Sequence, residues 1–250
     1  MLPSNWQLKT PLDAIIFDCD GTLSAIEGID ELAEENHVGD QVSKLTQEAM
    51  SHTGLNPELY RKRLELVLPT EEQVLNLGKS YIEHLTPDAK VVIELLQRLN
   101  KIIYIISAGL YPAVAILGQE LNIPKQNIFA VDIYFDPDGQ FVNYDEKSIL
   151  THNDGKRMIV SDLAEKYNSV GLIGDGLNDY ATHDLVTRFI GYGGSYYRQN
   201  IKSLCEYYIE KSSLAPLLPL VLTQEEYVNL TIKERNVYEI AFESFHSSSL

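Results

Sequence analysis

The chain has 250 residues, of which 44% are hydrophobic and 22% charged, as is usual for a globular protein with a packed core. Its formal net charge of -16 disfavours binding to nucleic acid or to an anionic membrane surface, because both are polyanions. Two cysteines are too few for a disulfide framework, and we find no export signal and no run of about 18 apolar residues, so we predict a cytoplasmic protein without a membrane segment.

The first predicted element is a short buried strand that ends in two carboxylates. The apolar residues from Ala14 to Phe17 precede Asp18, Asp20 and Gly21. Parallel strands present functional groups at their carboxyl ends, so we expect both acids to lie in a cleft above a sheet. Two anions so close together are costly unless a cation joins them, which indicates a hard metal ion, one acid as nucleophile and the other as proton donor. A simple surface turn also fits this segment.

The next part of the chain is predicted to be helical throughout. Apolar residues recur at the helical period in four segments, which are 27–36, 42–50, 57–68 and 70–85. No strand is predicted among them. We therefore predict a helical cap, residues 24–86, inserted after the first strand.

From Pro87 onwards, predicted helices and strands alternate. The predicted strands are 102–106, 128–131, 170–173, 189–191 and 207–210, and the predicted helices are 89–99, 111–121, 155–167, one from 178, 198–205 and 214–222. Asp136 to Gly139 predicts the turn of a β-hairpin over 134–144. Such alternation is typical of an α/β fold with a doubly wound parallel sheet. An amphipathic tail helix is predicted over 231–244.

Three predicted strand ends carry reactive side chains. Asp18 and Asp20 follow the first strand, Ser107 follows the second, and Asp175 follows a later one, with Asp179 four residues further on. All these ends share one edge if the strands are parallel. Acids at a helix start are also common as simple caps. Their recurrence at successive strand ends favours one common site.

These motifs resemble those of the haloacid dehalogenase superfamily of phosphohydrolases. The likeness rests on Asp18-Cys19-Asp20-Gly21-Thr22, Ser107, Lys156 and Gly174-Asp175-Gly176-Leu177-Asn178-Asp179, in order and spacing. It implies a Rossmann-like catalytic core of residues 1–23 and 87–228, a cap of residues 24–86, a small β-hairpin flap, and a tail of residues 229–250.

The resemblance also implies roles for these residues. Asp18 would attack phosphorus to form an aspartyl phosphate, and Asp20 would protonate the leaving oxygen and then activate water. The Asp18 and Asp175 side chains and the Asp20 backbone carbonyl would hold Mg²⁺, with Asp179 behind them. Ser107 and Lys156 would grip phosphate oxygens, and Asn178 would help to orient the site.

The cap resembles the phosphoserine phosphatase branch of that superfamily. By this likeness Glu27 would bind a substrate ammonium, Arg63 a carboxylate, and Met50 would line the pocket, with Ala108 and Asn178 as further substrate contacts. By residue type alone, Glu27 and Arg63 equally fit a solvated helix surface, since both lie in charged runs. Asn56 replaces a usual aromatic residue and Ala108 a usual glycine, and a polar residue at position 56 suits a more hydroxylated substrate.

We therefore predict a Mg²⁺-dependent phosphomonoesterase for a small phosphorylated metabolite, with O-phosphoserine as the leading candidate. Transfer of the phosphoryl group to another hydroxyl, as in a mutase or phosphotransferase, is an alternative. A phosphoacceptor signalling domain is an alternative from another class. We expect a monomer or a homodimer that binds neither nucleic acid nor membrane.

Overall fold

The structure, a computed structural model, describes residues 6–48 and 56–245, without the side chains of residues 46–48. The helices are α1 (Gly28–Glu35), α2 (Gly39–Glu48), α3 (Pro57–Val67), α4 (Glu71–Glu83), α5 (Ala89–Arg98), α6 (Tyr111–Glu120), α7 (Gly155–Lys166), α8 (Leu177–Tyr180), α9 (Gln199–Leu204), α10 (Leu217–Val221), α11 (Gln224–Val228) and α12 (Ile232–Glu243). The strands are β1 (Ala14–Phe17), β2 (Ile102–Leu110), β3 (Ile128–Val131), β4 (Ile133–Phe135), β5 (Phe141–Tyr144), β6 (Val170–Gly174), β7 (Arg188–Tyr192) and β8 (Tyr208–Ile209).

Six of these strands form one parallel sheet in the order β3-β2-β1-β6-β7-β8. β1 lies between β2 and β6, and its last residue, Phe17, is in register with Ile105 and Ile173. All four residues of β1 are buried, as expected for a central strand covered on both faces. The predicted α/β fold with a doubly wound parallel sheet is confirmed, and β1 sits at its centre.

The second strand is longer than predicted. We predicted that it ends before Ser107, whereas β2 continues to Leu110. The reason is its partner β3, because Leu110 still pairs with Val131 after a register shift that begins at Ile106. Ser107 therefore lies within the irregular part of a strand, where the shift turns side chains away from the regular alternation.

The predicted β-hairpin is confirmed. β4 and β5 pair antiparallel as a separate two-stranded sheet. The turn is closed by a hydrogen bond from the Gly139 N–H to the Asp136 carbonyl oxygen (2.9 Å), and the Asp136 side chain accepts from the Asp138 and Gln140 N–H groups. Its tip contacts α4, where the Glu71 N–H donates to the Gly139 carbonyl oxygen (2.9 Å).

Four helices, α1 to α4, lie between β1 and α5, as predicted. Their starts follow local capping rules. The Asn56 side chain accepts from the Leu59 N–H (2.9 Å) at the start of α3, with Pro57 as its first residue. Thr70 and Gln73 form a capping box at the start of α4. The division into a cap of residues 24–86, a core and a tail stays a prediction.

The C-terminal region differs from the prediction in two helices. The expected helix over 214–222 is shorter, since α10 begins only after Pro216, whose ring disfavours a helical conformation of the residue before it. A further helix, α11, begins at a capping box of Thr223 and Glu226 that the periodicity did not reveal. The tail helix α12 is present and contacts the N-terminal segment through the rings of Trp6 and Phe242. Within residues 6–48 and 56–245, no helix is long and apolar enough to cross a membrane.

A buried ion pair joins the sheet to the C-terminal region. The Lys101 side chain is 1% exposed, and its Nζ lies 2.5 Å from Glu226 Oε1 and donates to the Leu12 carbonyl oxygen. We expect Lys101→Met to lower the free energy of unfolding by roughly 2–3 kcal/mol, because Glu226 and Leu12 lose a charged donor in a buried place. Urea denaturation measures this loss.

The matched control is Lys90→Met, which breaks an ion pair with Glu120 at a similar Nζ–Oε1 distance of 2.6 Å. Both of these side chains are well exposed, so water replaces the lost contact and the change in stability is expected to be much smaller. Equal losses in the two variants would show that burial of Lys101 adds nothing.

Candidate active site

The carboxyl ends of β1, β2 and β6 lie at one edge of the sheet, as their parallel pairing requires. Asp18 directly follows β1 and Asp175 directly follows β6. Gly21, in the turn that follows β1, has a φ of +71°, and a Cβ on it would lie 2.5 Å from Asp175 Oδ2. Glycine is needed there for both the left-handed backbone and the close approach, and the turn brings the two acids together.

Three carboxylates converge at this edge. One oxygen each of Asp18, Asp175 and Asp179 lies within 4.8 Å of the others. Burial and the charge of Asp179 raise the pKa of Asp18 well above its usual value. Burial also raises the pKa of Asp175 to about 6, against the opposing charge of Arg198. The charged form of these acids is therefore costly, and a bound cation would relieve that cost.

Lys156 places a positive charge beside the nucleophile candidate. It lies in the first turn of α7, and its Nζ is 2.7 Å from Asp18 Oδ1 and 2.6 Å from Asp179 Oδ1. Burial alone lowers the pKa of Lys156, but the charges of Asp179 and Asp18 outweigh it and raise that pKa above its usual value. Lys156 is therefore an ammonium whose third N–H can reach a phosphate oxygen.

The Asp20 carboxylate is held by donors on both of its oxygens. Oδ1 accepts from the Gly28 N–H (2.7 Å) and the Tyr81 hydroxyl (2.6 Å), and Oδ2 accepts from the Ser107 hydroxyl (3.1 Å). Burial and the charge of Asp20 raise the pKa of Tyr81 well above its usual value, so Tyr81 is a donor. The Asp20 side chain is therefore held in place through both of its oxygens.

Arg198 belongs to the site, although no sequence pattern points to it. It immediately precedes α9, and its guanidinium forms ion pairs with Asp175 Oδ2 and, at 3.4 Å, with Glu27 Oε1. Glu27 is 12% exposed in its side chain, and burial followed by the charge of Asp175 raises its pKa well above the usual value. A lone arginine after a glycine-rich loop has no characteristic spacing, so only the fold reveals its position.

Arg63 is a buried cation on the cap side of the site. It is 7% exposed, lines the same cavity as Asp18, and its guanidinium lies 5.7 Å from the centre of the Tyr60 ring. Within the described part of the chain its Nε has no hydrogen-bond partner. A buried guanidinium whose Nε has no hydrogen-bond partner among the described residues is suited to receive an anionic group.

Tyr60, one helical turn after Asn56, supplies an aromatic side chain to the cavity. Asn56 caps α3 and is not among the described residues that line the cavity. The Tyr60 hydroxyl donates to the carbonyl oxygen of Ala108 (3.0 Å), which also lines the cavity. The Asn56 side chain is used at the start of α3, and a preference for a more hydroxylated substrate at this position stays a prediction.

A cavity of about 100 Å³ connects these groups. Ala108 and Asn178, predicted as substrate contacts, both line it. Ser107 is fully buried against Asp20 and accepts from the Gly109 N–H (2.8 Å). Met50 lies outside the described residues. The predicted site residues that the structure describes, Asp18, Asp20, Glu27, Arg63, Ser107, Ala108, Lys156, Asp175, Asn178 and Asp179, therefore lie at or around one cavity.

The family model for haloacid dehalogenase-like hydrolases matches residues 12–182. This chain belongs to the haloacid dehalogenase-like hydrolase family, as its motifs indicated. That membership sets aside the phosphoacceptor signalling domain as the alternative from another class.

The relatives point to one branch of the family. The chain is 35% identical over 199 residues to phosphoserine phosphatase of Bos taurus, an alignment that covers 79% of this chain and 88% of the bovine one. It is similar to a solved substrate-bound phosphoserine phosphatase complex, with a TM-score of 0.73, 27% identity, and coverage of 86% of this chain and all of that one. A phospho-aspartyl intermediate analogue of phosphoserine phosphatase matches with a TM-score of 0.72, 27% identity, and coverage of 85% and 100%.

Proposed function

We propose that this chain is a Mg²⁺-dependent phosphatase that hydrolyses O-phosphoserine through a phosphorylated Asp18. The observation that carries the proposal is the convergence of Asp18, Asp175 and Asp179 with Lys156 beside the cavity that also holds Arg63. The likeness to phosphoserine phosphatases, including a substrate complex and an intermediate analogue, supports it.

The proposed reaction has two displacement steps. In the first, a carboxylate oxygen of Asp18 bonds to phosphorus, the ester P–O bond breaks, and a proton passes from Asp20 to the serine oxygen. In the second, Asp20 takes a proton from water as the water oxygen bonds to phosphorus, and the bond to Asp18 breaks. Lys156 would balance charge on the phosphoryl oxygens, and the Ser107 hydroxyl would turn its one proton from Asp20 Oδ2 to a phosphoryl oxygen when substrate binds. Inorganic phosphate and serine leave, and both acids return to their starting states.

The acids around the cavity fit a magnesium ion. Their groups are all oxygen ligands, and the close approach of Asp18, Asp175 and Asp179 matches the preference of Mg²⁺ for a few carboxylates with room for water and substrate. We propose that the Asp18 and Asp175 side chains and the Asp20 carbonyl hold it, with Asp179 bound to Lys156 behind them. When bound, Mg²⁺ neutralises the repulsion between these acids and a phosphoryl dianion.

The serine part of the substrate is proposed to lie between the charged groups of the cap. Arg63 would pair with its carboxylate and Glu27 with its ammonium, while Ala108 and Asn178 contribute to the wall. Arg198 pairs with Glu27 at 3.4 Å in this structure. Because that distance is long for a charge-assisted hydrogen bond, the substrate ammonium can compete with Arg198 for the Glu27 carboxylate. Residues 24–86 would act as a cap that closes over the ester and excludes water.

A phosphate-release screen with and without Mg²⁺ tests the function. We expect O-phosphoserine to be turned over faster than phosphoethanolamine, a sugar phosphate and other small phosphate esters, and EDTA to abolish turnover until Mg²⁺ is returned. An added alcohol acceptor should not divert the phosphoryl group from water. Faster turnover of sugar phosphates would contradict the substrate, and transfer to the alcohol would favour the phosphotransferase alternative.

Cellular placement and assembly belong to the same proposal. The free thiols of Cys19, which is buried, and Cys205, which is half-buried, are typical of a reducing compartment such as the cytoplasm. The site needs no residue from a second copy, since one chain supplies every group named above. A monomer or a homodimer is compatible with this function.

A further inference from the structure

Tyr81, in the proposed cap, forms a hydrogen bond with Asp20, the proposed acid–base residue. It lies near the end of α4 and is fully buried, and its hydroxyl donates to Asp20 Oδ1 at 2.6 Å. The backbone of α1 packs closely against this hydroxyl. A Cβ on Gly28 would lie 2.1 Å from the Tyr81 oxygen, so the backbone of α1 is shaped around it.

The bonds to Asp20 separate the functions of its two oxygens. Oδ1 takes both donors that come from the segment between β1 and α5, namely Tyr81 and the Gly28 N–H. Among the described residues, Oδ2 accepts from the Ser107 hydroxyl of β2 alone, at the longer distance of 3.1 Å, and lies beside Gly109, which lines the cavity. Oδ1 is therefore anchored, and Oδ2 faces the side on which a proton can be exchanged.

We propose that Tyr81 is a positioning residue for Asp20, which directs Oδ2 toward the leaving oxygen when α4 lies against the core. The inference rests on the proposed function, and no proton of Tyr81 is transferred. Asp20 Oδ2 gives its proton to the ester oxygen in the first step and takes one from water in the second. Because the donor belongs to a cap helix, Asp20 is correctly oriented only when α4 is in place.

The test variant is Tyr81→Phe, which keeps the buried ring and removes only the oxygen. In single-turnover experiments, release of serine from O-phosphoserine is expected to slow about ten-fold, the typical effect of losing one hydrogen bond. KM for O-phosphoserine should stay nearly unchanged. The burst of p-nitrophenol from p-nitrophenyl phosphate should also be nearly unchanged, because that leaving group departs without a proton.

A structural defect gives a different result. If Tyr81 only supported the packing of the cap, both esters would be slowed equally. Equal slowing of the two esters overturns the proposal, and so does serine release at the wild-type rate. An inactive wild-type protein would instead overturn the proposed function itself, so the two failures are distinguishable.

Two further variants complete the experiment. Tyr192→Phe removes the hydroxyl of another fully buried tyrosine, which donates to the Ser212 carbonyl oxygen (2.6 Å) outside the cavity, and should leave both rates unchanged. Gly28→Ala places a methyl group where the Tyr81 hydroxyl lies and alters the residue whose N–H is the other donor to Asp20 Oδ1. Because both donors anchor Oδ1, this variant should reproduce the selective loss with O-phosphoserine. It provides the answer if Tyr81→Phe does not fold, and an equal loss with both esters again overturns the proposal.

Discussion

Replacing Asp18 by asparagine is expected to lower phosphate release by about four orders of magnitude or more, because the variant lacks the carboxylate that attacks phosphorus. In the wild type, Asp18 Oδ1 accepts from the Cys19 N–H (2.8 Å) and pairs with Lys156 (2.7 Å). Within the described residues these bonds involve Oδ1, which leaves Oδ2 for the attack. Acid-quenched protein should carry phosphate on Asp18 in the wild type and none in the variant.

The stability of this variant separates chemistry from folding. Burial and the charge of Asp179 disfavour the Asp18 carboxylate in the folded protein, so a neutral amide of the same size should leave the unfolding temperature unchanged or raise it. The control is Asp162→Asn on an exposed position of α7, which should keep full activity. A loss of only a few fold in Asp18→Asn would show that another group is the nucleophile.

Replacing Arg63 by glutamine is expected to reduce kcat/KM for O-phosphoserine by roughly 30- to 100-fold, the effect of losing a charge-assisted pair with the substrate carboxylate. The structure supports this expectation because the Arg63 side chain is buried in the cavity wall and its Nε has no partner among the described residues. Removing a buried cation whose Nε has no partner among the described residues should not lower the free energy of unfolding.

The choice of substrates makes this prediction specific. Phosphoethanolamine has the ammonium and the phosphate of phosphoserine but no carboxylate, so its kcat/KM should change only a few fold in Arg63→Gln. Lys62→Gln is the matched control, because Lys62 directly precedes Arg63 in α3 but is exposed and paired with Glu58. Equal losses of kcat/KM for the two esters would mean that Arg63 does not bind the substrate carboxylate.

The centre of the fold was predictable because its signals are local. The apolar run that ends at Asp18 and the glycine at position 21 determine a buried strand and a tight turn within a few residues. Parallel pairing then places the ends of β1 and β6 at the same edge, so the proximity of Asp18 and Asp175 follows from the alternation of strands and helices.

The cap shows where residue type stops being informative. Arg61, Lys62 and Arg63 are adjacent cations, yet the first two side chains are more than half exposed and only Arg63 is buried. Likewise Glu27, which directly precedes α1, faces Arg198, whereas Glu31 within α1 is exposed. The helical period gives the relative direction of these side chains, but the face that meets the core depends on how the helix packs.

The sequence by itself determined the parallel α/β core, the helices inserted after β1, and the acids, serine and lysine at the strand ends, since each follows from a short pattern or a family motif. Three features follow only from the packing of distant segments. Arg198 forms an ion pair with Asp175, Tyr60 lines the cavity, and the Tyr81 hydroxyl donates to Asp20. Tyr81 and Asp20 are 61 residues apart, and their contact depends on packing between α4 and the core, which no local pattern encodes.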